Sequence, residues 1–353
     1  MLRTVLAILA PCIVLSSTRA EPFDRFAEPS DESSRFQSEE LISELQCPAG
    51  IAFRPTQVAR GPFELLLAES GAGRVISVET TSPNATEEVI VGFPVGTFGP
   101  QSEYRAGPMT LAFVTSNRLA VGMQAPDRGT AQVATYALLG GGPVLQATQV
   151  DDVAEPNGTR VGAADQLGLL ITEDVCYFTG VKTGSDGWVL RGDVEANRLS
   201  PLRPFVTVNR SNGLAGFVAP AAVPSPRPNY FVAGTTGSVD TQQDSRLVYC
   251  LPETGEVVMN LPTGLNDVVA LAYGPSGRLY AADFNWSDAG AGGVFRLDDT
   301  RIDGRQSCRA VKIATVVRPF GLAFAPDGAL YVTSFGDPNG QLNGKLIKIT
   351  GDL

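Results

Sequence analysis

The sequence predicts an all-β protein: a six-bladed β-propeller of four-stranded antiparallel blades, its ring closed by an N-terminal strand. Three observations predict it. The phrase RPFGLAFAPDGALYVTSFG at 318–336 is nearly repeated as VVALAYGPSGRLYAADF at 268–284, and four weaker copies precede these two. The six copies divide residues 39–350 into units of about 52 residues, close to the size of one four-stranded blade. The last copy stops at its third strand, Lys345 to Thr350, and EELISELQ at 39–46 precedes the first copy just as AVKIATVV at 310–317 precedes the last.

Each unit reads in the same order. A strand ending in an aromatic (GLAF, ALAY) runs into APDGA or GPSGR, a turn in which Pro presets φ and Gly supplies φ > 0. A second strand (LYVTS, LYAAD), a Gly/Asp-rich loop and a third strand (GKLIKI, GGVFRL) follow, the pattern of successive hairpins. The earlier copies cover 48–78, 107–138, 166–194 and 211–258, the fourth beginning at SNGLAGF. The 38 Gly and 25 Pro are spread along the chain, as many short strands joined by tight turns require.

Outside the repeats, residues 1–20 read as a secretion signal: Arg3, the apolar run Val5 to Leu15, and small residues up to Ala20, after which cleavage is expected. Residues 21–38, polar, acidic and Pro-bearing, read as a flexible lead-in. The propeller takes 39–353, with no integral membrane segment once the signal is removed. Removal takes away two arginines and leaves 25 basic against 37 acidic residues, the balance of a poor binder of nucleic acid or anionic membranes, and no nucleic-acid partner is expected. Cys47, Cys176, Cys250 and Cys308 remain; they read either as two disulfides of unassigned pairing or as four separately buried thiols.

RPFGLAFAPDGALYV resembles the blade motif of six-bladed propellers of the NHL type and of the senescence-marker/gluconolactonase-like group, and the opening blade of quinoprotein sugar dehydrogenases. The quinoprotein resemblance implies a catalytic base histidine beside the quinone, and the chain contains no histidine. The lactonase resemblance implies a divalent cation on the axis, held by Glu, Asn and Asp ahead of the innermost strands. Aligning the six copies puts Ala49, Met109, Leu167, Asn212, Val269 and Phe320 at that position. Only Asn212 matches, and a hard cation needs several oxygens. Asp267 and Asp165 lie near the aligned position.

The loop before an inner strand and the loop joining strands two and three share one face of the disc. Those second loops are long and polar: 124–129, 181–187, 235–245, 285–293 and 336–344. They ring an apolar throat with an acid- and amide-rich rim. Asp283, Asn285, Trp286 and Asp288 form the sharpest cluster; Trp286 either folds back onto its loop or offers a stacking anchor. Asp283 and Glu69, both just after strand two, read as cation ligands or as acceptors that tie down loops. Asn84, Asn157, Asn209 and Asn285 begin N-x-[ST] sequons.

The expectation for function is a secreted or periplasmic, monomeric, non-catalytic binding or scaffolding propeller. It needs no cofactor and presents its acidic loop face, with Asn212, Asp267, Asp283, Asn285, Trp286 and Asp288, to a protein, glycan or small molecule. The alternative is a metal-dependent lactonase-like hydrolase using Asn212 with Asp267 or Asp283 around a divalent cation such as Ca²⁺. The third reading is a quinone-dependent sugar dehydrogenase-like protein, with Arg105, Arg160 and Arg318 as candidates for the quinone carboxylates.

Overall fold

The repeated phrase folds into the two innermost strands of a blade. In the last copy Pro319–Phe324 pairs antiparallel with Leu330–Ser334 across the APDGA turn, where Gly328 takes φ +90°. The computed structural model describes residues 25–83, 85–124, 131–139, 142–154, 164–182, 187–208, 221–224, 230–338 and 343–353. Among them are strands and two short 3-10 turns, and no helix long and apolar enough to cross a membrane.

Six sheets follow one another along the chain. Their innermost strands are Pro48–Phe53, Pro108–Thr115, Ala164–Ile171, Ala221–Pro224, Val268–Tyr273 and Pro319–Phe324. Each lies beside the next and the sixth lies beside the first, so the sheets stand as six blades around one axis. Clusters of buried apolar side chains fill the six gaps between neighbouring blades, and a seventh cluster sits on the axis. The core is therefore distributed between blades, and each blade is stable only against its neighbours.

The sixth blade joins both ends of the chain. Gln37–Leu45 pairs antiparallel with Gly344–Thr350, from Gln37 opposite Thr350 to Leu45 opposite Gly344. The side chain of Thr333 stitches this blade to the first: its hydroxyl donates to the Ala49 carbonyl at 2.7 Å and accepts the Gly321 N–H at 2.7 Å.

Two expectations are corrected. Residues 25–38 do not hang free: Ala27–Asp31 forms a strand parallel to Arg305–Ala314 of the fifth blade, and Phe36 is buried against Tyr280, Val294 and Ile313. An outer strand left uncovered would present unpaired backbone groups, and the lead-in supplies the partner. Leu145–Gln146 does the same, in parallel, for the outer strand Thr86–Val91 of the first blade. In the fourth blade the strand that pairs with Phe231–Thr235 is Ala221–Pro224, and GLAGF at 213–217, expected there, lies outside the described residues. AAVP stands close enough in sequence to Phe231 to pair with it through a short connection.

The four cysteines among the described residues are free thiols. Cys176, Cys250 and Cys308 are buried in three different gaps between blades, which leaves no pair to bridge, and Cys47 is half-buried beside the axial cluster.

Glycine in the phrase has a specific cause. A Cβ added to Gly321 would stand 2.4 Å from the Ala49 carbonyl oxygen, and one added to Gly50 would stand 2.7 Å from Met109 O. Both contacts are with the inner strand of the next blade, so the glycines set how closely neighbouring blades approach at the axis. We expect Gly321→Ala to destabilise the fold by about 1–3 kcal/mol through overpacking, read as a lower denaturant midpoint with an unchanged slope. The same change at Gly304, whose added Cβ meets nothing within 4 Å, tests only its φ of +76°.

Candidate functional site

At the loop-bearing mouth, most buried acids spend their oxygens on the backbone. Glu69 accepts the Gln46 N–H at 2.9 Å and Arg74 Nε at 2.6 Å, pinning the chain that leads into the first inner strand. Asp283 repeats the device in the fifth blade, accepting the N–H groups of Asp267 at 2.7 Å and Asn266 at 3.3 Å. Ser334 completes the pattern in the sixth by donating to the Val317 carbonyl at 2.6 Å. The residue closing strand two thus ties down the approach to its own inner strand.

Among the described residues the throat is lined by apolar side chains. Ala49, Met109, Val269 and Phe320, four of the six aligned axial positions, lie in one buried cluster. The side chain of Leu167 and the whole of Asn212 lie outside the described residues. Across the mouth stands a hairpin that sequence reasoning missed, Gly96–Phe98 paired with Tyr104–Ala106, in the connection between the first two blades. Phe98 packs on Trp286, Phe320 and Phe335 at 5.6, 5.9 and 6.0 Å between ring centres; Tyr104 packs on Phe335, Phe284 and Trp286 at 5.2, 5.9 and 5.9 Å. Its signal was legible: the stretch between the first two copies is long and carries three aromatics, in FPVGTFGPQSEYRAG.

Trp286 organises the rim beside this plug. Its ring lies 4.4 Å from that of Phe284 and remains half-buried, folded back over its own loop. The Trp286 backbone N–H donates to Asp267 Oδ2 at 2.7 Å. Asn285, buried and left-handed at φ 53°, accepts the Asp288 N–H and the Ser287 hydroxyl, both at 3.0 Å. That burial removes Asn285 from reach as a glycosylation acceptor, and the other three sequon asparagines lie outside the described residues. Asp288 is exposed and accepts the Gly290 N–H at 2.9 Å. Asp267, Asp283, Asn285 and Trp286 therefore form one continuous set, with Asp288 at its outer turn.

Arg318 holds the set from the sixth blade. Left-handed at φ 48° and preceding Pro319, it directs its guanidinium onto three successive carbonyls. Nη1 donates to Phe284 O at 3.4 Å and to Asn285 O, and Nη2 donates to Trp286 O at 3.1 Å. Its Cζ lies 5.1 Å from the Phe284 ring centre and 5.9 Å from that of Trp286, within cation–π range. A non-glycine residue in this conformation costs about 1–3 kcal/mol and persists only where its surroundings enforce it.

Three buried atoms here have no hydrogen-bond partner among the described residues: Asp267 Oδ1, Tyr104 Oη and Arg318 Nε. Burial pushes the Asp267 carboxyl up to about 8, the Trp286 N–H opposes the shift, and the Asp283 and Asp244 charges add to it. Burial likewise raises Asp283 and pushes Asp244 up to about 6. The Tyr104 phenol is pushed up to about 12, chiefly by burial; Arg318 beside it opposes the shift without a sound hydrogen bond joining them. Among the described residues no three His, Cys, Asp or Glu side chains stand together to hold a metal ion.

No known protein-family profile matches the chain, and no curated protein matches its sequence. Solved structures do. An oxidoreductase described as a glucose dehydrogenase from Thermus thermophilus superposes with TM-score 0.55 at 16% identity, over 89% of this chain and 100% of that one. A second glucose dehydrogenase gives TM-score 0.55 at 14% identity, over 90% and 100%. A streptogramin B lyase gives 0.48 at 14% identity, over 92% and 100%. The similarity to the two dehydrogenases is one of fold, a β-propeller shared over nearly the whole chain.

The Asp267 carboxyl makes stability pH-dependent. Its folded-state value is raised above the unfolded value of about 4, so its contribution is fully present below about pH 4 and lost as pH rises through about 8. We expect the thermal midpoint to fall between pH 5 and pH 8.5. Asp267→Asn should flatten this decline and overtake the parent protein at the alkaline end; Asp283 and Asp244, shifted the same way, leave a residual slope.

Proposed function

We propose that the protein is a ligand-binding β-propeller acting outside the cytoplasm as a monomer, which recognises its ligand at the rim of blades five and six without turning it over. The observation that carries this reading is how the ionisable groups at the mouth are employed. Glu69, Asp283 and one oxygen of Asp267 are committed to backbone N–H groups or to Arg74, and the axis is packed with apolar and aromatic side chains. The groups still turned outward are suited to contact: half-buried Trp286 and exposed Asp288. Export is supported by the N-terminal signal pattern, and kinship with the NHL and gluconolactonase-like propellers by the blade phrase.

A second reading is an enzymatic propeller, favoured by one observation: a buried carboxyl with an unpartnered oxygen and a raised pKa, a combination frequent at sites of acid–base chemistry. Two of the solved structures of similar fold are described as glucose dehydrogenases. In this reading Asp267 takes the place of the missing base, and Asn212 with Asp267 or Asp283 is the set available to a divalent cation.

One experiment separates them. The mature protein and Trp286→Ala are equilibrated with a small-molecule extract of culture medium, and retained compounds are identified by mass spectrometry; glucose oxidation with an artificial electron acceptor and gluconolactone hydrolysis are assayed in parallel. The binding reading expects compounds retained by the parent protein, lost at least tenfold in Trp286→Ala, and no turnover. Turnover abolished in Asp267→Asn would overturn it in favour of the enzyme.

A further inference from the structure

The apolar filling between blades four and five is open at the face opposite the mouth. Strand two of the fifth blade, Leu279–Asp283, begins at that far face, where Leu279 pairs with Leu297. The two strands outside it run on: 298–302 and 305–309 pair with each other and overhang the body of the blade. The lead-in braces the outer edge of this overhang. The Ser307 hydroxyl donates to Arg25 O at 2.9 Å, Arg25 pairs with Asp303 at 2.8 Å, and Ala27 stands opposite Arg309. The overhang is thus a fixed wall, and the outer strands of the fourth blade, Arg246–Cys250 and Val257–Pro262, form the wall facing it.

Between the walls lies a cleft of about 480 Å³, inside the range of about 300–1,000 Å³ usual for sites of small organic molecules. Leu247, Leu261, Leu279 and Leu297, buried in the core cluster of this gap, make its floor. Tyr249, Tyr273 and Met259 stand partly buried against that floor and line the sides. Tyr230 and Val258 line it too, and are 38% and 45% exposed. Exposed apolar side chains gathered over an apolar floor mark a place where a ligand gains by leaving water.

The charges on the lining are already engaged. Arg296 grips Asp298 through Nε at 2.7 Å and Nη2 at 2.8 Å. Arg278 donates to the Asp352 carbonyl at 3.0 Å and pairs with the Asp352 carboxylate at 3.3 Å, and Asp299 also has an interaction partner. A charged ligand would have to compete with these pairs and give up its hydration over an apolar floor; a neutral one meets neither cost. Tyrosine rings and a methionine thioether favour contact with a flat aromatic body.

We infer that this cleft binds a small neutral molecule with an aromatic body of linked or fused rings, its polar substituent turned to Tyr230 and Gln306 at the rim. Both residues line the cleft and are exposed. The site lies on the face opposite Trp286 and is independent of the binding reading above.

The test is fluorescence titration of the mature protein with N-phenyl-1-naphthylamine, a neutral aromatic whose emission rises in apolar surroundings, beside its anionic analogue 1-anilinonaphthalene-8-sulfonate, with the oligomeric state followed by sedimentation. The expected result is one-to-one binding of the neutral probe and at least tenfold weaker binding of the sulfonate. Val258→Glu sets a carboxylate on the lining and should weaken the neutral probe about tenfold. Tyr230→Ser removes a ring and should weaken it several-fold. Both side chains are exposed, so both variants should keep the parent's melting midpoint. Leu139→Ser, at an exposed leucine outside the cleft, should leave binding unchanged. No binding, equal affinity for the two probes, binding that survives Val258→Glu, or an equal loss in Leu139→Ser would overturn the inference. A parent protein that sediments as a dimer split by Val258→Glu would overturn it as well, and would assign the cleft to a second copy of the chain.

Discussion

The sheet made from both ends of the chain is the constraint on which the rest of this structure depends. A blade has apolar residues on both faces, and each face is buried only by the blade beside it. An open row of six would leave one gap's worth of apolar surface at each end. Pairing Gln37–Leu45 with Gly344–Thr350 turns the row into a ring, and Leu45 and Leu346 then close the gap against Ile51, Leu65 and Leu67 of the first blade. The Thr333 hydroxyl bridging Gly321 N–H and Ala49 O marks the same seam at the axis. This closure is non-local by construction, since its partners come from opposite ends of the chain.

At the mouth, buried backbone groups of the segments that enter the inner strands need hydrogen-bond partners. The protein solves this with side chains at the end of strand two. Glu69, Asp283 and Ser334 occupy equivalent places and each grips the segment that leads into its own inner strand. The cost is clearest in the fifth blade, where Asp283 and Asp267 are both buried and burial opposes their ionisation. Such buried acids look like a catalytic pair in a sequence, yet here they first secure loop geometry; only the oxygen left over, Asp267 Oδ1, is available for anything else.

How much of this was legible follows from where the signal resides. Inner and second strands were readable because PFGLAF and LYVTS combine alternation with a Pro-Asp-Gly turn, and the closure was readable because EELISELQ occupies the place that AVKIATVV occupies elsewhere. The apolar throat followed from aligning Ala49, Met109, Val269 and Phe320. What failed was context. Composition marks residues 25–38 as a loose tail, but their strand pairing depends on an uncovered edge of a blade far along the chain. In the fourth copy GLAGF, which matches the phrase, lies outside the described residues, and the strand that pairs with strand two is AAVP, which does not match it. Arg318 was noticed only as one of three arginines; its hold on the carbonyls of 284–286 depends on a left-handed backbone that no residue type announces.

The hairpin at 96–106 decides which groups face outward at the mouth. A two-stranded hairpin this short is not stable alone, so it stays in place because Phe98 and Tyr104 are swallowed by aromatic side chains of the fifth and sixth blades. Its rings join the axial cluster beside the rim where Trp286, Arg318 and Asp267 meet. It also brings Tyr104, from the connection between the first two blades, against residues from blades five and six. The rim thus draws on three separated stretches of chain, and it exists only because the ring that carries them is closed.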